Sequence, residues 1–283
     1  MAGNNMPTTW RESMMAGLPE AKPTFRHETS FVPVSTIAKQ FYCEEKVEQT
    51  FIHGEVPSEV KNMGTELHEE VLAMERIERE KLVEHIERDP HVAASFRLFA
   101  EVDSLRVVGV PDAVVFERSS PRWLIELKTT RGDYRRFYND QLIQARIYGL
   151  LLERMGFDCY GLKLAVVRMH QAAELEPEEK KSMLGLITVS LAKGATEELE
   201  RAYPLKFFVF PHDSDEAEKS VTWAKDYWLG TREAIPTRFV GKCRICEYNS
   251  VCPSSLYRSN NGFMDLGPDL NGSNQRKSAA GAP

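Results

Sequence analysis

The chain has 283 residues, which is enough for one large domain or two small ones. Hydrophobic residues make up 42% of it and charged residues 28%, and these globular proportions exclude a fibrous, low-complexity or wholly disordered chain. The formal net charge of −6 excludes a basic field over the whole surface, so any nucleic-acid-binding surface must be local.

The apolar residues are too dispersed for a membrane segment. No run of about 18 consecutive apolar residues occurs, and the start of the chain lacks the charged-then-apolar order of a secretory signal. We therefore expect a soluble, cytoplasmic protein without a membrane partner.

Helical patterns dominate the N-terminal part of the chain after an aperiodic start. Residues 1–30 mix Gly, Pro, Asn, Thr and Met without a period, and we predict a mobile tail there. Ser35 is a suitable N-cap for a helix that runs to about Ile52. Apolar residues three and four positions apart predict a second, amphipathic helix over 58–88.

Between Ser95 and Thr130 the pattern changes to β-branched and apolar runs separated by turn signals, which predicts three antiparallel strands, the middle one over 106–116. Helical spacing returns over 139–155, and Gly156 stands where a helix should end. The remaining elements are predicted as a strand over 159–169, a strand or buried helix over 184–191, a strand over 206–210 and a helix over 213–228.

The chain shows neither an internal repeat nor a convincing linker between domains. One α/β core over residues 31–266, with a small cysteine-bearing appendage, is the most economical interpretation. Residues 267–283 are small, polar and turn-rich, and we predict a disordered C-terminal tail there.

The predicted hairpin around Ser119 brings two carboxylates together. Asp112 and Glu126 are equally distant from Ser119 along the chain, so an antiparallel hairpin centred there places them directly opposite each other, with Cβ atoms about 5 Å apart. Because side chains alternate along a strand, Lys128 shares a face with Glu126.

This arrangement suits a hard cation. Two carboxylates at such a distance repel each other unless a cation lies between them, and oxygen ligands with room for water suit Mg²⁺ or Mn²⁺. A lysine beside the ion can orient an attacking water or neutralise charge on a pentacovalent phosphate. A surface strand pair with ordinary charges is the alternative, because the D-x(n)-E-x-K motif is loose.

Two residue pairs on the flanking helices favour a site. Gly64 and His68 stand one helical turn apart, where the imidazole could supply a third ligand, although a lone helix histidine is more often structural. Gln144 and Tyr148 share a face of the following helix, so both could meet a substrate. The chain contains no GxSxG, P-loop, GxGxxG or HExxH motif, which disfavours serine hydrolases, NTPases, dinucleotide enzymes and zincins.

Three of the five cysteines crowd together in a pattern that is typical of a metal centre. Cys243 and Cys246 are spaced to reach one metal, and Cys252 is close enough to be a third ligand. Zinc and an iron-sulfur cluster both accept four thiolates, and the spacing does not decide between them. Cys43 or Cys159 could supply the fourth, although Cys159 lies in an apolar strand, where a small buried thiol is usual.

Basic and aromatic residues interleave immediately after Lys128. This mixture combines phosphate contacts with stacking faces, as single-strand channels do, whereas a solvated loop is the alternative. The residues are Arg131, Tyr134, Arg135, Arg136, Phe137 and Tyr138. Lys242 and Arg244 could add phosphate contacts near the cysteines.

Taken in order, these motifs resemble a known family. The set Gly64-x3-His68, Gly109-Val-Pro-Asp112, Glu126-Leu-Lys128 and Gln144-x3-Tyr148 is similar to the motifs of the RecB-type PD-(D/E)xK nucleases. With Cys43 ahead of His68, and with Cys243, Cys246 and Cys252 behind the core, the chain most resembles the CRISPR-associated Cas-four exonucleases over roughly residues 35–255.

The resemblance implies a restriction-endonuclease-like α/β fold, in which helices flank a central mixed sheet, with a helical N-terminal part and a C-terminal cysteine cluster. It implies a metal-dependent exonuclease that acts on single-stranded DNA ends. Such an enzyme would process fragments for CRISPR spacer acquisition alongside adaptation integrase proteins, and it could be oligomeric.

The resemblance also implies roles for individual residues. The metal ligands would be His68, Asp112, Glu126 and the carbonyl of Leu127. Lys128 would be the catalytic lysine, and Gln144 and Tyr148 would orient the substrate or that lysine. One 4Fe-4S cluster would be held by Cys43, Cys243, Cys246 and Cys252.

Other interpretations stay open. The chain could be a DNA-repair or recombination exonuclease of the same superfamily, a non-catalytic module that guides DNA to an integrase, or a structural zinc protein with no DNA role. The intact Asp112, Glu126 and Lys128 argue against a degenerate site. Residues 1–30 and 170–204 look longer than a compact family member needs, which leaves the subfamily open.

Overall fold

The computed structural model describes residues 9–56, 72, 78–171 and 175–257 of the chain. The predicted Gly64 and His68 lie outside the described residues, as do the predicted tail over 267–283 and most of the helix predicted over 58–88. No helix in the described ranges is both long and apolar enough to cross a membrane.

Strands and helices are mixed along the described chain. In chain order the strands are β1 (Val32–Pro33), β2 (His91–Ala94), β3 (Leu98–Val102), β4 (Leu105–Gly109), β5 (Ala113–Glu117), β6 (Ser120–Thr130), β7 (Lys163–His170) and β8 (Leu205–Pro211). The helices are α1 (Trp10–Ala16), α2 (Val34–Tyr42), α3 (Glu44–His53), α4 (Arg79–Arg88), α5 (Asn139–Arg154), α6 (Pro177–Lys193), α7 (Thr196–Ala202), α8 (Ser214–Trp228) and α9 (Val240–Arg244). The segment 184–191, which the sequence left undecided, is therefore helical.

A five-stranded mixed sheet forms the centre of the fold, in the order β2-β5-β6-β7-β8. Strands β6 and β7 are parallel, and their other neighbours in the sheet are antiparallel. Because parallel neighbours need a crossover connection, α5 lies between them in the chain. The predicted α/β class, with a central mixed sheet and flanking helices, is confirmed.

The two faces of this sheet enter separate apolar clusters. On one face, Leu124 and Val166 pack in a cluster that includes residues of α5 and α8. On the other face, Leu127 and Val167 pack in a cluster that includes residues of α6 and α7. Burial on both faces explains why β7 has a nearly continuous apolar sequence.

A second sheet contains β1, β4 and β3 in that order. The strand predicted over 106–116 is in fact two strands, because β4 ends at Gly109 and β5 begins at Ala113 in the other sheet. Pro111 lies between them and has no N–H to continue a ladder, which accounts for the division. The prediction of three antiparallel strands was therefore wrong, because four strands in two sheets cover this range.

Part of the predicted N-terminal tail packs on the core. Thr9 and Glu12 form a capping box at the start of α1. Met14 is buried, and Trp10 stacks on Phe157 with ring centroids 5.1 Å apart. A helix of 7 residues is too short to show a clear period in the sequence, which is why the pattern did not indicate it.

The helix predicted over 35–52 is broken at Cys43. This residue has an extended backbone (φ −173°, ψ 112°) and separates α2, which begins at Val34, from α3. A distant loop supplies hydrogen bonds at the break. The Glu44 N–H donates to the Ile235 carbonyl at 3.2 Å, and the Ile235 N–H donates to the Glu44 carboxylate at 2.8 Å.

The carboxylate of Glu44 is fully buried, and Arg232 compensates its charge. Arg232 donates to both carboxylate oxygens, with Nη2 at 2.7 Å from Oε1. Gln40 donates to the same carboxylate at 2.8 Å and accepts a 2.8 Å hydrogen bond from the Trp228 indole. The hydrogen bonds to Glu44 raise the pKa of Arg232 although burial opposes this. The network joins α2, α3 and α8 around the break at Cys43.

We predict that Arg232→Ala lowers the free energy of unfolding by about 3 to 5 kcal/mol, because it leaves a buried carboxylate without its cation. Denaturant unfolding measures the loss. Arg238→Ala is the matched control, since Arg238 is an exposed arginine of the same loop. A loss below about 1 kcal/mol for Arg232→Ala would show that the ion pair is not needed.

Candidate functional site

The side chains of strand β6 alternate between an apolar cluster on one face of the sheet and the candidate site on the other. Leu127 enters the cluster that includes residues of α6, so the alternation of the strand turns Glu126 and Lys128 to the opposite face. Ala113 pairs with Ile125, which agrees with the predicted hairpin register next to Asp112. A bulge between Val115 and Phe116 shifts the register nearer the turn.

The predicted glutamate, lysine and glutamine meet in one hydrogen-bonded group. Lys128 Nζ donates to Glu126 Oε1 at 2.5 Å and to Gln144 Oε1 at 3.0 Å. The amide nitrogen of Gln144 donates to Glu126 Oε1 at 2.7 Å. Glu126 and Gln144 are both buried, so these hydrogen bonds replace bonds to water that the two side chains lose.

Electrostatics keep Lys128 charged. Burial by itself would lower the pKa of this lysine, but the negative charges of Glu126 and Asp112 outweigh burial and raise the pKa above its ordinary value. The lysine is therefore a permanent cation at neutral pH, and it lies between a carboxylate and an amide oxygen.

Asp112 and Leu127 meet on the edge of this group. The Leu127 N–H donates to Asp112 Oδ2 at 2.6 Å, which fixes the carboxylate beside β6. The carboxylate oxygens of Asp112 and Glu126 are ligand atoms of the kind that Mg²⁺ and Mn²⁺ prefer. The predicted His68 ligand lies outside the described residues.

Helix α5 packs against the hydrogen-bonded group of Glu126, Lys128 and Gln144 and contributes Gln144 and Tyr148. Gln144 and Tyr148 lie one turn apart, and the Gln144 amide nitrogen is 3.4 Å from the Tyr148 hydroxyl oxygen. Tyr148 is buried, which raises the pKa of its phenol. Its ring lies against Gly109, where an added Cβ would be 2.5 Å from Tyr148 Cε1 and 2.9 Å from Val34 Cγ2. The glycine of the Gly-Val-Pro-Asp motif therefore leaves room for Tyr148.

The four cysteines predicted as ligands line one pocket. Cys43 comes from the break between α2 and α3, and the other three come from α9 and the turns that follow it, at Cys243, Cys246 and Cys252. Cys159 lies elsewhere, partly buried against the apolar cluster that includes residues of α5 and α8, and burial raises its pKa to about 12. The structure thus separates Cys159 from the other four.

Neither the carboxylates of Asp112 and Glu126 nor the four pocket cysteines have the geometry of a complete metal site in the described residues. Within the ranges that the structure describes, no three His, Cys, Asp or Glu side chains form a group that could hold a metal ion. At the first of these sites the described candidate ligands are two carboxylates, those of Asp112 and Glu126, whereas such a group needs at least three side chains. In the cysteine pocket the four thiols line the same cavity, but they are not arranged as ligands of one metal ion.

The segment 131–138 carries exposed arginines beside aromatic rings. The Arg135 guanidinium lies 5.3 Å from the Tyr134 ring centroid, and that of Arg136 lies 5.2 Å from the Tyr138 centroid. Phe137 differs from the prediction, because it packs 5.2 Å from both Phe208 and Phe210 as an anchor of the segment. The predicted stacking faces are therefore reduced to the two tyrosines.

Sequence reasoning missed Arg168, a buried arginine in β7 that pairs in register with Lys128. The signal was present, since this residue is the one charged position inside the apolar run 164–169. A single arginine in a buried strand is unusual, because burial of a charge is costly without a partner.

The family follows from a match over most of the chain. A model of the PD-(D/E)XK nuclease superfamily matches residues 34–253, and the chain belongs to that superfamily. No curated protein matches the chain.

Two solved structures are similar at low identity. The crystal structure of SSO0001 has 18% identity and a TM-score of 0.42, over 88% of this chain and 96% of that one. An alkaline exonuclease (LHK-Exo) from Laribacter hongkongensis has 13% identity and a TM-score of 0.37, over 70% of this chain and 85% of that one. Both TM-scores lie below 0.5, so the assignment rests on the superfamily match.

We predict that Gly109→Ala destabilises the protein by about 1 to 3 kcal/mol, because the new methyl group overlaps the Tyr148 ring and must displace it. Thermal and denaturant unfolding measure the loss. The matched control is Gly185→Ala in α6, where an added Cβ meets nothing within 4 Å. That control should be neutral or stabilising, as is usual for alanine in a helix. Equal stability of the two variants would contradict the close contact.

Proposed function

We propose that this chain is a divalent-metal-dependent exonuclease that acts on single-stranded DNA ends. One observation carries the proposal: Glu126, Lys128 and Gln144 form one hydrogen-bonded group beside Asp112, in a chain of a nuclease superfamily. Because the motif order resembles the Cas-four exonucleases, the proposed role is the processing of DNA fragments for CRISPR spacer acquisition. Adaptation integrase proteins are the proposed partners.

Catalysis is favoured over a non-catalytic DNA-binding role. Glu126 is a buried charge and Lys128, whose side chain is 28% exposed, pairs with it. Charges in such surroundings cost stability unless they are paired and hydrogen-bonded. A binding module would gain nothing from keeping a glutamate and a lysine at the end of β6. A repair or recombination exonuclease of the same superfamily would use the same site.

We assign the metal to oxygen ligands and one imidazole. The ion would be held by Asp112, Glu126, the Leu127 carbonyl and His68. When bound, Mg²⁺ or Mn²⁺ supplies a Lewis acid and lowers the pKa of a coordinated water. The position of Asp112 beside the Leu127 N–H brings the carboxylate and the backbone of β6 together, as that donor set requires.

The side chains around the ion have separate tasks. Lys128 brings a fixed positive charge to the attacked phosphate, where negative charge grows during hydrolysis. Gln144 holds the lysine through its amide oxygen and holds Glu126 through its amide nitrogen. Tyr148 packs behind Gln144 and limits its movement.

The cysteine pocket is proposed to hold one 4Fe-4S cluster, with zinc as the alternative. The ligands would be Cys43, Cys243, Cys246 and Cys252. Thiolates are the binding form of cysteine. Burial raises the pKa of Cys246, and the backbone hydrogen bond from Tyr248 and the charge of Lys46, which lines the pocket, partly counteract this. The Thr237 N–H lies 3.4 Å from Cys43 Sγ, where it can donate to the sulfur. The cluster would join the break between α2 and α3 to the C-terminal segment.

The DNA strand is proposed to follow the segment 131–138. Exposed Arg135 and Arg136 would contact phosphates, and Tyr134 and Tyr138 would stack on bases. The segment begins directly after β6, whose end carries Lys128, so a strand bound there would pass close to the catalytic group.

We predict that Asp112→Ala, Glu126→Ala and Lys128→Ala each reduce metal-dependent DNA cleavage by about 100-fold or more, because each removes one part of a single unit. His68→Ala should reduce cleavage or raise the Mn²⁺ concentration that is required. Cleavage of end-labelled single strands measures both effects. Activity equal to the parent for any variant would remove that residue from the site.

We predict that protein purified without oxygen is brown and absorbs broadly near about 400 nm, as thiolate-iron clusters do. Replacement of a single pocket cysteine by Ala should remove the colour and lower stability, whereas Cys159→Ala should keep the colour. Iron, sulfide and zinc analysis measures the content. Colourless protein with one zinc per chain would select the zinc alternative.

We predict that Arg135→Ala with Arg136→Ala weakens single-strand binding and lowers the salt slope by about 1.4, because fewer phosphate contacts release fewer counterions. Tyr134→Ala or Tyr138→Ala should cost about 1 to 3 kcal/mol per base with little change in slope. Titrations with Ca²⁺ in place of Mg²⁺, on single- and double-stranded ends, measure both. Unchanged affinities on both substrates would show that this segment is a solvated loop.

A further inference from the structure

Arg168 lies beside the catalytic group without belonging to it. The parallel ladder pairs it with Lys128, and its neighbours Val167 and Met169 point into the cluster that includes residues of α6. Arg168 therefore shares the face of Lys128, one strand away, which is about 4.8 Å in a sheet. It is 3% exposed.

The guanidinium of Arg168 is used to hold the segment 131–138. Its Nη1 donates to the backbone carbonyl of Arg136, and its Cζ lies 4.6 Å from the centroid of the Tyr138 ring. Its Nε is buried and has no hydrogen-bond partner among the described residues. Burial lowers the pKa of Arg168, and Tyr138 and two aspartates counteract this. The contacts to the segment 131–138 thus offset part of the free energy that is needed to bury the Arg168 cation.

The segment itself has little regular structure. Its described residues form neither helix nor strand, and local bonds such as Arg135 N–H to Asp133 Oδ1 at 2.9 Å shape its turn. Among the described residues, the contacts that hold the segment to the sheet include three. His170 Nε2 lies 3.1 Å from the Arg131 carbonyl oxygen, Phe137 packs on β8, and Arg168 contacts the end of the segment. Arg168 alone of these three touches both Arg136 and Tyr138.

We propose that Arg168 is a positioning residue, which fixes Arg136 and Tyr138 beside Lys128 and so sets the path of the single strand into the site. The role in DNA binding rests on the proposed function, whereas the role in holding the segment does not. Arg168 is not a catalytic residue in this proposal, because the segment covers it and it acts through its neighbours.

The test compares Arg168→Met, which keeps an apolar side chain of similar length, with Arg168→Lys, which keeps the charge. A buried charge replaced by a well-packed apolar side chain is often tolerated, so Arg168→Met should fold. Hydrogen exchange without DNA should be about 10-fold faster for the amides of 131–138 in Arg168→Met, since the segment opens more easily. Arg168→Lys should recover part of the protection.

The DNA measurements use a single-stranded oligonucleotide. In Ca²⁺, Arg168→Met should bind it about 10-fold more weakly, while the single-turnover rate with Mg²⁺ at saturating DNA should change less than about 3-fold. Because Arg168 acts through Tyr138, the double variant Arg168→Met with Tyr138→Ala should lose no more affinity than the larger single loss. Arg146→Met is the control, since Arg146 is a half-buried arginine of α5 that pairs with Glu216 at 3.9 Å.

Each outcome decides a separate point. If Arg168→Met folds and the amides of 131–138 exchange hydrogen as slowly as in the parent protein, Arg168 does not position this segment. Additive losses in the double variant would overturn it in favour of a direct phosphate contact by Arg168. Faster exchange with DNA affinity equal to the parent would overturn the DNA role of Arg168. The parent protein could bind no single-stranded DNA while hydrogen exchange of 131–138 is still faster in Arg168→Met. In that case the proposed function fails, and the role of Arg168 in holding the segment stands.

Discussion

Buried charge at the end of β6 is the constraint on which the rest of the site depends. Glu126 is buried and Lys128 is half-buried on one face of the strand, while Ile125 and Leu127 on its other face pack in an apolar cluster. Both charges therefore need partners within the protein. Gln144 completes that pairing from α5, and Tyr148 and Gly109 keep α5 at the distance that the pairing requires. The geometry of the site therefore follows from the need to pair the buried Glu126 with the half-buried Lys128.

A second constraint acts at Cys43, and it brings the cysteine pocket near the nuclease-like site. The buried pair of Glu44 and Arg232 holds the break between α2 and α3, and this break directs Cys43 toward α9. Asp140, at the start of α5, connects the two regions electrostatically. Burial raises its pKa, and Lys242 beside the pocket and Lys128 in the site both counteract that effect. Asp140 therefore lies within electrostatic reach of both Lys242 and Lys128.

The sequence predicted the elements whose signals are local. The helix of α5, strand β8, the helix of α8 and the hairpin register next to Asp112 depend on periodicity and turn residues. The division at Pro111 and the break at Cys43 depend on partners distant in the chain, and short α1 has too few residues for a period. Arg168 was missed because the groups that it contacts, the Arg136 carbonyl and the Tyr138 ring, lie in the segment 131–138, and periodicity does not reveal such a contact. Phe137 was misjudged because its partners are in β8.

Calorimetric titration of Mn²⁺ into the parent protein and into Asp112→Asn and Glu126→Gln tests the central claim most directly. These substitutions remove charge and keep shape, so they separate metal binding from folding. Our account predicts one site in the parent that either substitution weakens by about 10-fold to 100-fold, as the loss of a ligand does. Mn²⁺ affinity equal to the parent in both variants would contradict it, because the ion would then not lie at the end of β6.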